Sequence, residues 1–225
     1  MTLESALLTS PIRQPIAITP GDPCGIGPEI VARAFYLAPE STQGCFVVGD
    51  VGLMRRAMAL VQSTSTFAPT FPVCEIESPA EALHVPPRCL PVLQVVPVAP
   101  VLPWGQIDAR AGQLAGEAVL WATRAALRGE VAAVVTAPLH KEALHAAGAP
   151  FNEYPGHTEL LQAEAARHRG VPLAQMPVRM MLANDELRTV LVSIHVSLRD
   201  ALEAITSERV LQTLRITDAS LTKLL

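Results

Sequence analysis

Aromatic residues are scarce in this sequence, and neither sign of charge dominates. Phe, Tyr and Trp supply 4% of the 225 residues, and 17 Lys+Arg face 21 Asp+Glu for a net charge of −4. A nucleic-acid groove needs clustered cations and stacking platforms, so nucleic acid is excluded as the main partner. No apolar run reaches the roughly 20 residues of a membrane span. The longest, Cys89 to Trp104, is interrupted by Pro91, Pro97, Pro100 and Pro103. Glu4 and the lack of any basic residue before Arg13 do not fit a secretory signal. The four cysteines, Cys24, Cys45, Cys74 and Cys89, have no paired spacing, which points to reduced, mostly buried thiols. A cytoplasmic protein is expected.

What is present is enough apolar material, 50% of residues, for one large domain or two unequal lobes. No internal boundary is legible, so residues 1–225 are read as one unit of organisation. Residues 1–14 read as an irregular lead. Pro15–Thr19 and Cys45–Gly49 read as short strands. A helix opens near Pro28, where Pro suits a first turn, and apolar positions 53, 54, 57, 58 and 61 mark a second helical face. Residues 63–88, rich in Ser, Thr and Pro, are expected to connect lobes or form edge strands. Leu90–Val98 is a strand broken by Pro97. Asp108–Gly129 is the clearest helix, with Leu114, Ala118, Trp121 and Ala125 on one stripe. Val131–Thr136 is a continuous apolar run, the pattern of a strand covered on both faces. Helices follow near His140–Ala147 and over Thr158–His168. Arg179–Ala183 and Arg188–Ile194 flank Asn184-Asp185-Glu186 as a hairpin. Ser197 with Asp200 resembles an N-cap pattern, and a helix runs from Ser207 to the last residue. Alternating strands and helices give an α/β class, with a mixed sheet on account of the hairpin.

Four segments carry chemistry. Thr19-Pro-Gly-Asp-Pro-Cys-Gly-Ile-Gly-Pro-Glu29 joins a strand to a helix. It is neither a P-loop nor a dinucleotide G-x-G-x-x-G, so a tight turn and an anion site at the helix N-terminus both remain open. Thr136-Ala-Pro-Leu-His-Lys-Glu142 sits at a strand's carboxyl end, where open α/β sheets bind ligands. There Lys141 is a partner for phosphate or carboxylate, or a solvated first-turn lysine. In Pro155-Gly-His-Thr-Glu159, His157 and Thr158 either converge on a small anion or form an N-cap with an incidental histidine. His195, leaving an apolar strand, is a metal ligand or a structural histidine. A catalytic metal wants about three protein ligands, and neither H-x-x-x-H nor H-E-x-x-H is present.

In combination, I-T-P-G-D-P-x-G-I-G-P-E (18–29), T-A-P-L-H-K (136–141), A-G-x-P-F…P-G-H-T-E (147–159), M-M-L-A…E-L-R…H-V-S-L-R-D (180–200) and A-I-T (204–206) resemble the 4-hydroxythreonine-4-phosphate dehydrogenase family of vitamin B6 biosynthesis. The resemblance runs in register from about residue 15 to 218. It implies a two-lobed fold like the isocitrate and isopropylmalate dehydrogenases, and a homodimer with the active site at the interface. It implies NAD (or NADP) and a divalent metal (Zn, Mg or Co) as cofactors. The reaction implied is oxidation of the C3 hydroxyl of 4-hydroxy-L-threonine 4-phosphate, then loss of CO2 to give 3-amino-2-oxopropyl phosphate. Matched motif by motif, His157 and Thr158 are the substrate-binding pair, His195 is a metal ligand, and Lys141 has a catalytic, supporting electrostatic role. No cofactor-binding residue is assigned. Thr-Ala-Pro and Val-Ser are small departures from the family pattern.

The larger departure is length. The family's other metal-binding histidines and much of its cofactor site lie in a C-terminal third that this sequence does not contain. The sequence stops within an amphipathic pattern at Thr222-Lys223-Leu224-Leu225, so C-terminal truncation and impaired catalysis are expected. Three other readings share these motifs or this fold. They are a dehydrogenase of a phosphorylated sugar acid such as erythronate or threonate phosphate, a phosphate acyltransferase, and a non-catalytic dimerising fragment.

Overall fold

The computed structural model describes residues 14–64, 70–98 and 100–224, without the side chains of 223 and 224. Nearly all of the expected N-terminal lead falls outside that range. The chain divides into two compact units, one ending at Arg169 and the other starting at Gly170. Composition does not mark this boundary.

The first unit is built on a parallel sheet of five strands: β1 (Ile16–Thr19), β2 (Cys45–Gly49), β3 (Val73–Ile76), β4 (Leu90–Gln94) and β5 (Ala133–Thr136). Their order is β3-β4-β2-β1-β5. The register sets Ile16, Ala17 and Ile18 against Cys45, Phe46 and Val47 on one side and against Ala133, Val134 and Val135 on the other. Because side chains alternate along a strand, β1 to β4 each feed two cores. Ile16, Ile18, Cys45, Val47, Leu90 and Val92 pack with helices α1 (Gly27–Leu37) and α2 (Val51–Ser63). Ala17, Phe46, Val48 and Leu93 pack with α3 (Ala109–Leu127) on the opposite face.

Helix boundaries follow the local chemistry. Asp50 caps α2 by accepting from the Leu53 N–H at 2.6 Å, and Asp108 caps α3 by accepting from the Arg110 N–H at 2.8 Å. Pro28 stands in the first turn of α1. Of the stripe expected on α3, Ala118 and Ala125 are buried, while Trp121 is partly buried with its ring edge-on to Phe46. The buried surface is broader than one stripe and also includes Gly112 and Gly116. Those two glycines admit the following segments. A Cβ at Gly112 would lie 1.9 Å from the Ala143 carbonyl oxygen in α4 (Lys141–Ala146), and one at Gly116 would lie 2.5 Å from the Phe151 ring. Helix α5 (His157–Arg169) is tied to α3 by the buried Glu164, which accepts from Arg124 Nε at 2.7 Å and also pairs with Arg167.

Several expectations change in detail. Residues 73–76 do form an edge strand, but they belong to the first unit and do not connect units. β4 stops at Gln94, well before Pro97. β5 pairs only with β1 and stands at the sheet edge, so it is not covered on both faces: Val135 is 50% exposed. All four cysteines are free, two of them buried and two half-buried.

In the second unit, β6 (Met181–Ala183) and β7 (Arg188–Val190) form the expected hairpin, shorter at its far end. The Asn184 side chain closes its turn by accepting from the Glu186 and Leu187 N–H groups at 3.0 and 2.7 Å. This hairpin is a two-stranded sheet of its own. The mixed character expected of one sheet is therefore divided between a parallel sheet and a separate antiparallel pair. Helices α6 (Leu198–Ala204) and α7 (Ser207–Leu224) complete the unit. Arg179 reaches α7 through Thr213 Oγ1 at 2.8 Å and Gln212 Oε1 at 2.6 Å. No described helix is long and apolar enough to cross a membrane.

The contact at Gly112 has a direct consequence. Gly112→Ala must push α4 away from α3, because the obstructing atom is backbone. The expected cost is about 1–3 kcal/mol, seen in thermal denaturation as a fall in Tm of roughly 2–12 °C for a chain of this size. An unchanged Tm would show that the helices are not in this contact.

Candidate active site

In the strand order, β1 is the point where the connections diverge. The chain leaves β1 through α1 on one face of the sheet, whereas α3 leads into β5 across the other face. The crevice outside the carboxyl ends of such strands is where open α/β sheets place ligands. Two loops meet there. The Asp22 N–H donates to the Pro138 carbonyl at 3.0 Å, and the Ala137 N–H donates to the Thr19 carbonyl at 3.0 Å. Gly21 has φ +72°, and a Cβ there would lie 2.1 Å from the Pro138 oxygen. A Cβ at Gly27 would lie 2.1 Å from the Pro20 oxygen. The buried Asp22 accepts from the Cys24 N–H at 2.8 Å. Gly21 is therefore spent on backbone packing between the two loops, and Gly27 on packing within its own loop. Burial, reinforced by Asp22, pushes the Cys24 thiol up, which disfavours the thiolate and a nucleophilic role.

Beyond Pro138, His140 caps α4, its Nδ1 accepting from the Ala143 N–H at 3.4 Å. Lys141 is the exposed first residue of α4. It lies against the turn that opens α5: a Cβ at Gly156 would be 3.9 Å from Lys141 Cε and 3.7 Å from Glu159 Oε2. His157 begins α5, so Thr158 lies inside the first turn and not at the N-cap. The His157 ring is partly buried, and its Nε2 is buried without a hydrogen-bond partner among the described residues. Burial lowers its pKa below the ordinary 6.5. An orphaned polar atom of this kind in a native fold calls for a ligand or water. The structure thus brings Lys141, His157 and Thr158 together at one corner of the first unit.

His195 belongs to the second unit, in the loop after β7. It is exposed, with φ +56°, a left-handed conformation uncommon for a non-glycine residue and one in which His is enriched several-fold. Ser197 begins the next turn by accepting from the Asp200 N–H at 3.3 Å and donating to Asp200 Oδ2 at 2.7 Å, as its sequence pattern predicts.

Comparison with known proteins now decides the lineage. Residues 41–225 match the family model described as pyridoxal phosphate biosynthetic protein PdxA. The chain belongs to the PdxA family. A relative from Trichlorobacter lovleyi, named 4-hydroxythreonine-4-phosphate dehydrogenase, is 41% identical over 209 residues, covering 90% of this chain and 56% of its own length. A relative from Pectobacterium atrosepticum, named D-threonate 4-phosphate dehydrogenase, is 38% identical over 206 residues, covering 92% and 58%. The crystal structure of a 4-hydroxythreonine-4-phosphate dehydrogenase from Burkholderia phymatum aligns with TM-score 0.77 at 33% identity, covering 93% of this chain and 59% of that one. This PdxA-family chain thus spans little more than half the length of the relatives it matches.

Tested against the cofactors the family resemblance implies, the donor set is incomplete. Among the described residues, no three His, Cys, Asp or Glu side chains are grouped to hold a metal ion, so His195 is a single candidate ligand. Sequence reading missed Gly112 and Gly116, whose G-x-x-x-G spacing on an alanine-rich helix was the available signal, and Glu164, which nothing in the sequence distinguishes from a surface residue.

Two measurements follow. His157 in the folded chain should titrate below 6.5 by NMR. Between its folded and unfolded pKa values the unfolded chain binds more protons, so this group's contribution to stability falls as pH drops through 6.5 toward the folded value; His157→Gln should remove that slope. The chain of 225 residues should bind Zn2+, Co2+ or Mg2+ no better than a surface histidine. A tight calorimetric site abolished by His195→Ala would contradict this.

Proposed function

We propose that this chain supplies the phosphorylated-substrate corner of a nicotinamide-dependent dehydrogenase that oxidises 4-hydroxy-L-threonine 4-phosphate to 3-amino-2-oxopropyl phosphate and CO2, in pyridoxal phosphate biosynthesis. The observation that carries this reading is the buried, unpartnered Nε2 of His157 at the start of α5, beside Lys141. Family membership supports it.

The chemistry of these residues follows from their surroundings. A partly buried imidazole with a lowered pKa is neutral at pH 7, so it can donate or accept one hydrogen bond without carrying a charge into the site. His157 and Thr158 then orient the substrate's polar groups, while the Lys141 ammonium offsets its anionic charge. NAD or NADP, when bound, would accept the hydride from C3. The C3 hydroxyl proton would pass to solvent as the carbonyl forms, and the resulting β-keto acid would lose CO2 and take up a proton at C2. The described residues complete no metal site; His195 is the residue this chain would contribute to such a site.

A second reading has a specific observation behind it: the similarly close relative named for D-threonate 4-phosphate. The two substrates differ at C2, where one carries an amino group and the other a hydroxyl. The expected assembly is a cytoplasmic homodimer. Leu198, Leu202, Ile205, Leu211 and Leu214 in the second unit are exposed, and apolar patches of this kind favour association.

The test is NADH formation by the full-length protein with each phosphorylated substrate in turn. Preference for D-threonate 4-phosphate would select the second reading, and turnover of neither would reject both. His157→Ala and Thr158→Ala should each lower kcat/KM by ~10- to 150-fold, the value of one hydrogen bond to a charged group, with metal content unchanged. His195→Ala should instead reduce metal content.

A further inference from the structure

At the amino ends of β2 and β4, the end of the sheet away from the Gly21–Pro138 contact, lies a cavity of about 350 Å3. This is in the size range of small-molecule sites. Phe35 and Phe71, both buried, and Val85 give it apolar walls. Glu40 and Arg88 are the charged groups on its lining, and both are exposed. Neither makes an ion pair with an opposite charge among the described residues. The Arg88 guanidinium instead stands 5.7 Å from the centre of the Phe71 ring. Arg88 also has φ +64°, a left-handed backbone that an L side chain adopts only at a cost its surroundings must offset.

An apolar cavity with one unpaired cation and one unpaired anion suits a particular class of ligand. A simple carboxylic acid would satisfy Arg88 but meet repulsion from Glu40, and a simple amine would do the reverse. A zwitterion with a hydrocarbon body satisfies both charges and fills the walls. We propose that this cavity binds a small α-amino acid with an apolar side chain, its carboxylate on Arg88, its ammonium on Glu40 and its hydrocarbon against Phe35, Phe71 and Val85. The inference does not rest on the dehydrogenase reading.

The experiment is NMR or calorimetric titration of the full chain with L-phenylalanine and L-leucine, alongside 3-phenylpropionate and phenethylamine. Saturable binding of an amino acid is expected, weakened by ~10-fold or more for each analogue that lacks one charge and for Arg88→Ala or Glu40→Ala. Val85→Trp, which fills the cavity, should abolish binding. Absence of saturable binding of either amino acid up to roughly 10 mM, a level that detects even millimolar affinity, would overturn the proposal. Equal affinity for 3-phenylpropionate or phenethylamine would also overturn it. The analogue series decides the matter even if a variant fails to fold.

Discussion

Helix α3 meets the sheet, α4 and the Phe151 turn together only because its contact positions carry almost no side chain. Ala118, Ala122 and Ala125 lie against the strands, while Gly112 and Gly116 let the Ala143 carbonyl and the Phe151 ring approach to distances a methyl group would forbid. Backbone-to-backbone packing of this kind cannot be relieved by changing a rotamer. It determines where α4 starts, and with it where Lys141 stands. The Glu164 pair with Arg124 holds α5 to the same helix, so His157 is placed from α3 as well. The corner where Lys141 meets the His157 turn thus depends on a helix whose contact positions are glycine and alanine.

A second rigid contact sets the other wall of the site. The loops after β1 and β5 are locked by the Asp22–Pro138 hydrogen bond and by the close approach at Gly21. This accounts for glycines in a loop that is neither a P-loop nor a dinucleotide fingerprint: Gly21 serves the fit of one loop on another, and Gly27 the packing of its own loop. Among the described residues, three buried side-chain atoms lack a hydrogen-bond partner: Thr19 Oγ1, Tyr36 OH and His157 Nε2. Of these, His157 Nε2 stands beside Lys141, and burial lowers the pKa of its ring.

Family membership and chain length bear on different questions. The match over residues 41–225 establishes lineage, and the alignment with the Burkholderia phymatum enzyme carries the fold with it. The chain spans 56–58% of the two relatives' lengths. His195 stands in a left-handed turn, and among the described residues no group of three His, Cys, Asp or Glu could hold a metal ion. The amino ends of the strands carry a different kind of surface, an apolar cavity whose two charged groups make no ion pair among the described residues, which the proposed reaction does not use.

The α/β class, most of the helices and strands, and the hairpin with its Asn184 turn were all legible in the sequence. Each depends on local periodicity, capping chemistry or a contiguous motif, and such signals survive without tertiary context. Other features were not legible. The pattern of Val131–Thr136 cannot reveal that β5 lies at an edge, because exposure depends on which strands pair beside it. Thr158 reads as an N-cap until the neighbouring turn starts the helix one residue earlier. The division at Arg169 leaves no compositional trace. The sequence by itself determined the kinds of elements and the family. Tertiary structure alone decided that Lys141 lies against the His157 turn, that the loop glycines are consumed by backbone contacts, and that one imidazole nitrogen is buried and unpaired. Those are properties of distance between segments far apart in the chain, and local sequence does not encode distance.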